Sequence, residues 1–516
     1  MDILSSVLDV APAWLLVHGS ALIVVLPLMV AAVLAVMPSE RVAWAIALMV
    51  AIICAVCGFV LVAQVYGGNQ VTYSMGGWDP PHGIGYVVDG LSAPILLLIS
   101  LMAVVCLLYA YPSVRVEVEP KKRAPFYAAV MVCFAGLLGM VATGDAFNVF
   151  VFLEVSSIAT YVLVGMGASR DRRALTASFN YLILGSIGAT FFVIGLGFLY
   201  METGTLNMAD MGRILRDLDG GSRVAQVGFA FIVIGLGLKL AMYPLHLWLP
   251  DAYAHSPSFV TAFLAATATK AALYLLLRFT FTIFAVDFSY VGPVDTIFLA
   301  GFGIIGMLLA SLQAIFQTDA RRALAYSSVA QVGYMLLGVG LGTAAGLAAG
   351  YIHLLNHAII KGGLFIALGA FWYRFGITRI SDFSGLGKTM PWTMAAFTIS
   401  GLSLIGVPFT AGFVSKVNLV VAAWEAQSYW AIGVVVIASI MAIIYIGNML
   451  RHAYFGQPPV VNGDVVAKNE APLMMLIPMW ILAIASIAIG TNADFMTALA
   501  NQAADVLIPL SQGGLP

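Results

Sequence analysis

Residues 231–270 read FIVIGLGLKLAMYPLHLWLPDAYAHSPSFVTAFLAATATK, and this stretch decides the fold. It runs apolar into Lys239, breaks at Pro244, passes through the turn HLWLPDAYAHSP and re-enters an apolar run that buries Lys270. A lysine on a lipid-spanning segment costs roughly 2.5 to 3.5 kcal/mol on insertion scales, so it should face the protein interior or water and have a task there. Proline removes a helical hydrogen bond, and in a bilayer the freed carbonyl must find a neighbour or water in a cavity. The stretch therefore predicts a broken membrane helix with a hydrated spot beside Lys239.

Composition agrees along the whole chain. Of 516 residues, 62% are hydrophobic and 9% charged, with mean hydropathy +1.00, whereas a soluble domain carries about 25% charged residues. The expected class is an all-α polytopic membrane protein in the lipid bilayer; the resemblance named below implies a transporter subunit and not an enzyme. A net charge of −1 points to neither a nucleic-acid footprint nor a polybasic lipid anchor. Cys54, Cys57, Cys106 and Cys133 all fall in apolar runs and read as buried hydrophobes. The single CxxC lacks further ligands for zinc or a cluster. The start, MDILSSVLDVAPAW, has no basic region or cleavage site of a signal peptide, so the first apolar run is expected to stay as a span.

Apolar runs of about 20 residues fall near 14–37, 41–66, 85–112, 126–142, 146–168, 175–200, 227–246, 258–284, 294–316, 321–340, 344–373, 394–423, 428–455 and 471–490, which makes fourteen spans. The eleventh and twelfth are long enough to be tilted or bent. Basic residues such as Arg41, Lys121, Arg172, Arg322, Arg379 and Arg451 gather after odd-numbered spans. The positive-inside rule then turns both termini outward, in a cell membrane of the bacterial inner type. Lys239 and Pro244 mark the seventh span; five spans later, GLSLIGVPFTAGFVSKVNLV carries Pro408 and Lys416. Because five is odd, two such units would be inverted, as in many transporters. The expected division is a three-helix segment (1–125), a first repeat of spans 4 to 8 (126–290), a second of spans 9 to 13 (291–456), and a C-terminal helix and tail (457–516).

Glu154, in AFNVFVFLEVSSIATYVLVG, is the acid deepest inside a span, with Ser157 on the same helix face. It either shares charge control with Lys239 or forms a structural ion pair that locks two helices. Lys270, Lys361 and Lys416 extend the set of buried amines, each with three donors on a flexible stem that suit a relay, although any one could be structural near a helix end. His353, His357 and Lys361, in YIHLLNHAIIKGGLF, share one face at i, i+4 and i+8. No acid in that span completes a metal site, so the stripe reads as a proton path, with neither metal nor cofactor expected. His246, just past the Pro244 break, could bridge the two lysine sites or be hydrogen-bonded in place. Asp251 and His255 in the turn, like Asp319, Arg321 and Arg322, read as capping and anchoring groups. Proton uptake through Asp251 and His255 is the sharper alternative. Asp89 and Asp145 lie near outer span ends, where an exit or gating role is the alternative to structure.

These residues resemble a known family: the antiporter-like membrane subunits shared by respiratory complex I and the Mrp-type multisubunit cation/proton antiporters. The stretches that carry the resemblance are FLEVSSIATYVLVG, KLAMYPLHLWLPDAYAHSPS, ATKAALYLLLRF, TDARRALAYSSVAQVGYM, HLLNHAIIKGGLF and GVPFTAGFVSK. The resemblance implies fourteen spans in two inverted five-helix repeats, each with a broken helix. It also implies a proton path over Glu154, Lys239, Lys270, His353, His357, Lys361 and Lys416. Lysine on the twelfth span, and the lack of an added lateral helix, lean toward the D-type Mrp subunit, with protons, Na+ and other membrane subunits as partners. A complex I or hydrogenase-type subunit is the alternative; a self-sufficient solute carrier and a scaffold without transport are further readings.

Overall fold

The computed structural model describes residues 2–218, 222–284, 292–457, 460–461, 464–465 and 469–508. Among these residues, thirteen helices are long and apolar enough to cross a membrane: Ala13–Ala35, Glu40–Val65, Ala93–Glu117, Pro120–Ala142, Ala146–Ser169, Arg173–Thr203, Arg223–Leu240, Ser258–Ile283, Phe298–Ile315, Ala320–Gly340, Ala344–Phe375, Tyr429–Phe455 and Leu473–Thr491. Two shorter helices, Pro391–Ile405 and Ala411–Glu425, make one interrupted crossing. With that pair the described residues supply the fourteen spans expected, numbered below in chain order.

Both expected breaks are present. Span 7 stops at Leu240 because Ala241 takes a left-handed backbone (φ 59°), and Pro244 follows without an N–H to continue the ladder. Two expectations need correction here. The helix does not run on to residue 246, and HLWLPDAYAHSP is not simply a turn, since Trp248–His255 forms a short helix. Pro250 is tolerated there because the first helical turn has no partner for an N–H in any case. In span 12, Gly406 (φ 93°) and Phe409 (φ 66°) reverse the backbone on either side of Pro408.

The two halves share a feature of backbone geometry. Before span 5, Ala146 N–H donates to the Leu206 carbonyl (2.8 Å) and Met208 N–H to that of Gly144 (3.0 Å). Before span 10, Ala320 N–H donates to Thr378 (2.8 Å) and Ile380 N–H to Thr318 (2.9 Å). Asp145 and Asp319 cap the two helices that follow, accepting from Asn148 and Arg322 N–H. Each pair of bonds ties the start of one span to the end of the next, five spans apart and so at opposite ends of the bundle.

Packing puts spans 8 and 11 at the centre. Every residue of Ser258–Leu277 is buried, as befits a helix apolar on all sides. Spans 6 and 7 approach through glycine, as small residues allow in membranes. A Cβ on Gly235 would stand 2.6 Å from the Gly188 carbonyl oxygen, and one on Gly195 2.6 Å from that of Gly228. The four cysteines are buried and unpaired. Among the elements that went unread in the sequence are a hairpin of Val71–Ser74 with Gly85–Val88, an amphipathic helix Met208–Asp217, and a helix Asp494–Leu507 after span 14.

Candidate functional site

Lys239 lies buried in the last turn of span 7 and donates to Ser157 Oγ on span 5. Its ammonium stands 5.9 Å from the centroid of Tyr181, whose ring stacks on Trp248 at 4.0 Å. Trp248 donates to the Leu238 carbonyl (2.7 Å), so the short helix after the break holds down the end of span 7. Glu154 is half-buried, one turn from Ser157, and no ion pair within 4.0 Å joins it to Lys239. Its Oε1 is enclosed without a hydrogen-bond partner. Glu154 therefore acts on Lys239 through space, while Ser157 makes the contact.

Lys270 is wholly buried on span 8 and donates to the Ala265 carbonyl and to Thr269 Oγ1 (3.3 Å). Lys361 on span 11 donates to the Leu324 carbonyl (2.8 Å) and to Ser327 of span 10. Its charge and that of Lys270 both reach His357, whose two ring nitrogens have no hydrogen-bond partner among the described residues. The rings of His357 and His353 lie nearly parallel with centroids 6.3 Å apart. His353 is gripped on both sides, Nδ1 by Ser415 (2.8 Å) and Nε2 by Gln331 (2.9 Å). Tyr334 stacks on it at 5.2 Å, and the Lys416 ammonium sits 4.8 Å from the Tyr334 centroid.

Lys416 shows what the break in span 12 does. Its ammonium donates to the carbonyls of Leu404 (3.2 Å) and Ile405 (2.8 Å), the last of the helix before Gly406, and to Ser439 (3.0 Å). Those carbonyls lack helical partners, and the helix dipole adds negative potential at that end. Because Lys416 follows its break it can fold back onto them. Lys239 precedes its break and turns to a serine instead.

His246 is buried between Tyr243 (centroids 4.8 Å) and Tyr326 of span 10 (6.1 Å). It faces Gln313 of span 9, and neither ring nitrogen meets hydrogen-bond geometry. It thus touches both halves without contacting a lysine.

The four residues considered for uptake or gating are held in caps and ion pairs. Asp251 pairs with Arg322 (3.0 Å) and His255 with Asp171 (3.2 Å). Asp145 caps span 5. Asp89 is paired with Arg278 (2.7 Å) and also accepts from the Leu91 and Ser92 N–H groups. Burial alone would raise the Asp89 pKa, but Arg278 and Ser92 outweigh it and hold the carboxyl below its ordinary value. Asp171 is held down to about 2, chiefly by Arg173. Burial pushes the His255 pKa down, Arg173 adding to the effect. Burial pushes that of Asp145 up.

Several partners escaped the sequence reading. Ser327, Gln331 and Tyr334 lie at i, i+4 and i+7 of span 10, a polar stripe that helical spacing alone could have revealed. Arg278, two turns after Lys270, was visible as a cation in an apolar run. Glu117 was not, because VRVEVEP looks like surface, yet it is buried and takes Arg170 (2.7 Å) and the Ser258 N–H (3.0 Å).

The chain resembles proteins of known kind over nearly its whole length. It is 40% identical over 487 residues, 92% of this chain and 95% of the relative, to NADH-quinone oxidoreductase subunit N of Desulforudis audaxviator. It is 31% identical over 88% of its length, and 90% of the relative's, to the Na(+)/H(+) antiporter D subunit of Alkalihalophilus pseudofirmus. A chain of the Mrp complex from Dietzia sp. DQ12-45-1b superposes with TM-score 0.86 and 29% identity, covering 95% of this chain and 98% of that one. The family described as NADH:quinone oxidoreductase/Mrp antiporter, TM, matches residues 143–442, from just before span 5 into span 13. With Lys239, Lys270, Lys361 and Lys416 all inside that match, this multi-pass membrane protein belongs to the NADH:quinone oxidoreductase/Mrp antiporter transmembrane family.

Proposed function

We propose that the chain moves protons through the bilayer as one subunit of a Mrp-type monovalent cation (Na+)/proton antiporter. The observation that carries this reading is the character of the four buried amines. Each of Lys239, Lys270, Lys361 and Lys416 is held by hydroxyl or carbonyl oxygens, and among the described residues none has a carboxylate in ion-pair contact. An amine solvated by neutral oxygens can release its proton without stranding a buried anion, which a tight ion pair cannot do cheaply. Protons pass from the Lys239 and Lys270 side through His357 and His353 to Lys361 and Lys416, with Glu154 setting the charge on Lys239. Both termini face outward from a cell membrane, by the distribution of basic residues. Glu154→Ala and Lys239→Ala, assembled with the other subunits in everted vesicles, are expected to lose Na+-dependent proton exchange while still incorporating. Normal exchange by either variant would refute the reading.

The 40% identity to a subunit N favours a second reading, a proton-pumping member of a redox-driven complex. The same buried path would serve, driven by electron transfer. Purifying the native assembly separates the two. Iron-sulfur subunits and proton uptake driven by an electron donor support the second, and proton movement driven by a Na+ gradient alone supports the first.

A further inference from the structure

Two clefts of about 580 Å³ each open at the membrane boundary where the basic residues gather, and they share the side chain of Arg322. The first lies where the ends of spans 5 and 11, the start of span 10 and the short helix after span 7 converge. Its rim presents Arg170, Arg173, Arg322 and Arg379 with Asp171 and Asp319; Glu117, Asp171 and Asp251 pair with the first three arginines, which leaves Arg379 as the rim guanidinium outside these ion pairs. The second is mainly apolar, walled by Phe179, Ile183 and Leu247, all three exposed side chains on the outside of the bundle, with Asn180 and the Arg322-bound Asp251 also in its lining. Arg322 Nε is buried without a partner, although the same guanidinium is anchored by Asp251 at 3.0 Å. Arg379 is exposed, and among the described residues no acceptor takes its guanidinium.

We propose that this double cleft binds one anionic phospholipid, with its phosphate on Arg322 and Arg379 and an acyl chain along Phe179, Ile183 and Leu247. Basic pockets between membrane helices at the headgroup level are suited to such lipids, and guanidinium groups grip phosphate oxygens in pairs. A free phosphate would need only the first cleft, and an acidic protein segment would have no use for a lipid-facing apolar groove joined to it. The site stands apart from the lysine file and does not depend on what drives it.

The test is lipid retention by the full chain in its native assembly, purified in mild detergent and measured by native mass spectrometry after exposure to phosphatidylglycerol or phosphatidylcholine. The wild-type chain is expected to keep one phosphatidylglycerol and release phosphatidylcholine. Arg379→Gln, which breaks no internal contact, and Arg322→Gln should each weaken retention on the order of fivefold. Ile183→Trp should block the acyl groove and release the lipid with both arginines intact. Equal retention of the two lipids, full retention by Arg379→Gln and Ile183→Trp, or complete displacement of phosphatidylglycerol from the wild type by millimolar inorganic phosphate would overturn the proposal. So would a cross-link from Leu247→Cys to another protein subunit in place of lipid.

Discussion

Tyr334 meets both Lys416 and His353, with the ammonium 4.8 Å from its ring centroid and the imidazole stacked on the ring at 5.2 Å. The ring attracts the cation through its quadrupole and packs against the histidine. Its hydroxyl meets Ser439 at 3.2 Å, the same serine that accepts from Lys416. Tyr334→Phe keeps the ring and loses the hydroxyl's contacts with Ser439 and, at 3.5 Å, the Val435 carbonyl; taking about 1 kcal/mol for the better of the two, proton transfer should slow roughly fivefold. Tyr334→Leu removes the ring as well and should slow it further. Proton flux in reconstituted vesicles measures both, and equal rates for the two variants would mean that the ring does nothing.

The Asp89–Arg278 pair joins the approach to span 3 to the π-helical end of span 8, and both residues are buried. Asp89→Asn leaves the guanidinium buried without a counter-charge and should destabilise the fold by about 3–5 kcal/mol. Pairing Asp89→Leu with Arg278→Met should recover most of that loss. Because the folded carboxyl has a depressed pKa, its contribution is in place above the unfolded value near about 4 and is lost as pH falls through the folded one. Denaturant midpoints of the single and paired variants in detergent test both points.

The helical frame was readable in the sequence because twenty-residue apolar runs have no other use, and both breaks were readable because Pro244 and Pro408 interrupt them beside lysines. The contacts of the lysines were not. Glu154 pointed to an ion pair with Lys239, yet Ser157, one helical turn further on, fills that place, since a hydroxyl carries no hydropathy signal. His246 looked like a bridge between lysines by sequence distance, but the reversal at Ala241 turns it toward Tyr326 and Gln313 of the other half. The helical state of Trp248–His255 was hidden by Pro250 and by a length too short for periodicity to show.

Stability should fall on mild acidification through His255. Its folded pKa is depressed, so the unfolded chain binds a proton more readily, and the folded state loses ground as pH drops below about 6.5. Asp171 responds only at far lower pH, where its contribution is lost as pH falls toward about 2. His255→Gln should flatten the melting temperature between pH 7.5 and 5.5 while leaving the steeper decline at very low pH. An unchanged slope would show that other groups titrate there.

Spans 6 and 7 are held at glycine distance, and Lys239 stands one turn past Gly235. Gly235→Val would drive a side chain into the Gly188 carbonyl oxygen and the Phe192 backbone. It is expected to cost about 1–3 kcal/mol by overpacking and to shift Lys239 away from Ser157. Reduced thermal stability together with impaired proton flux is the expected pairing, whereas Gly433→Val, where an added Cβ meets open space, should change neither.

The matched backbone bridges before spans 5 and 10 repeat one piece of the scaffold at opposite ends of the bundle, and that repeated piece contains no arrow of its own. Any preference for one direction of travel must come from side chains that break the likeness. At equal distance past the two capping aspartates stand Glu154 in one half and Ser328 in the other, so the acid has no twin. Beside the different placing of Lys239 and Lys416 about their breaks, this is a difference that can be exchanged, and swapping Glu154 and Ser328 between the halves tests whether the proposed proton flow can be turned around.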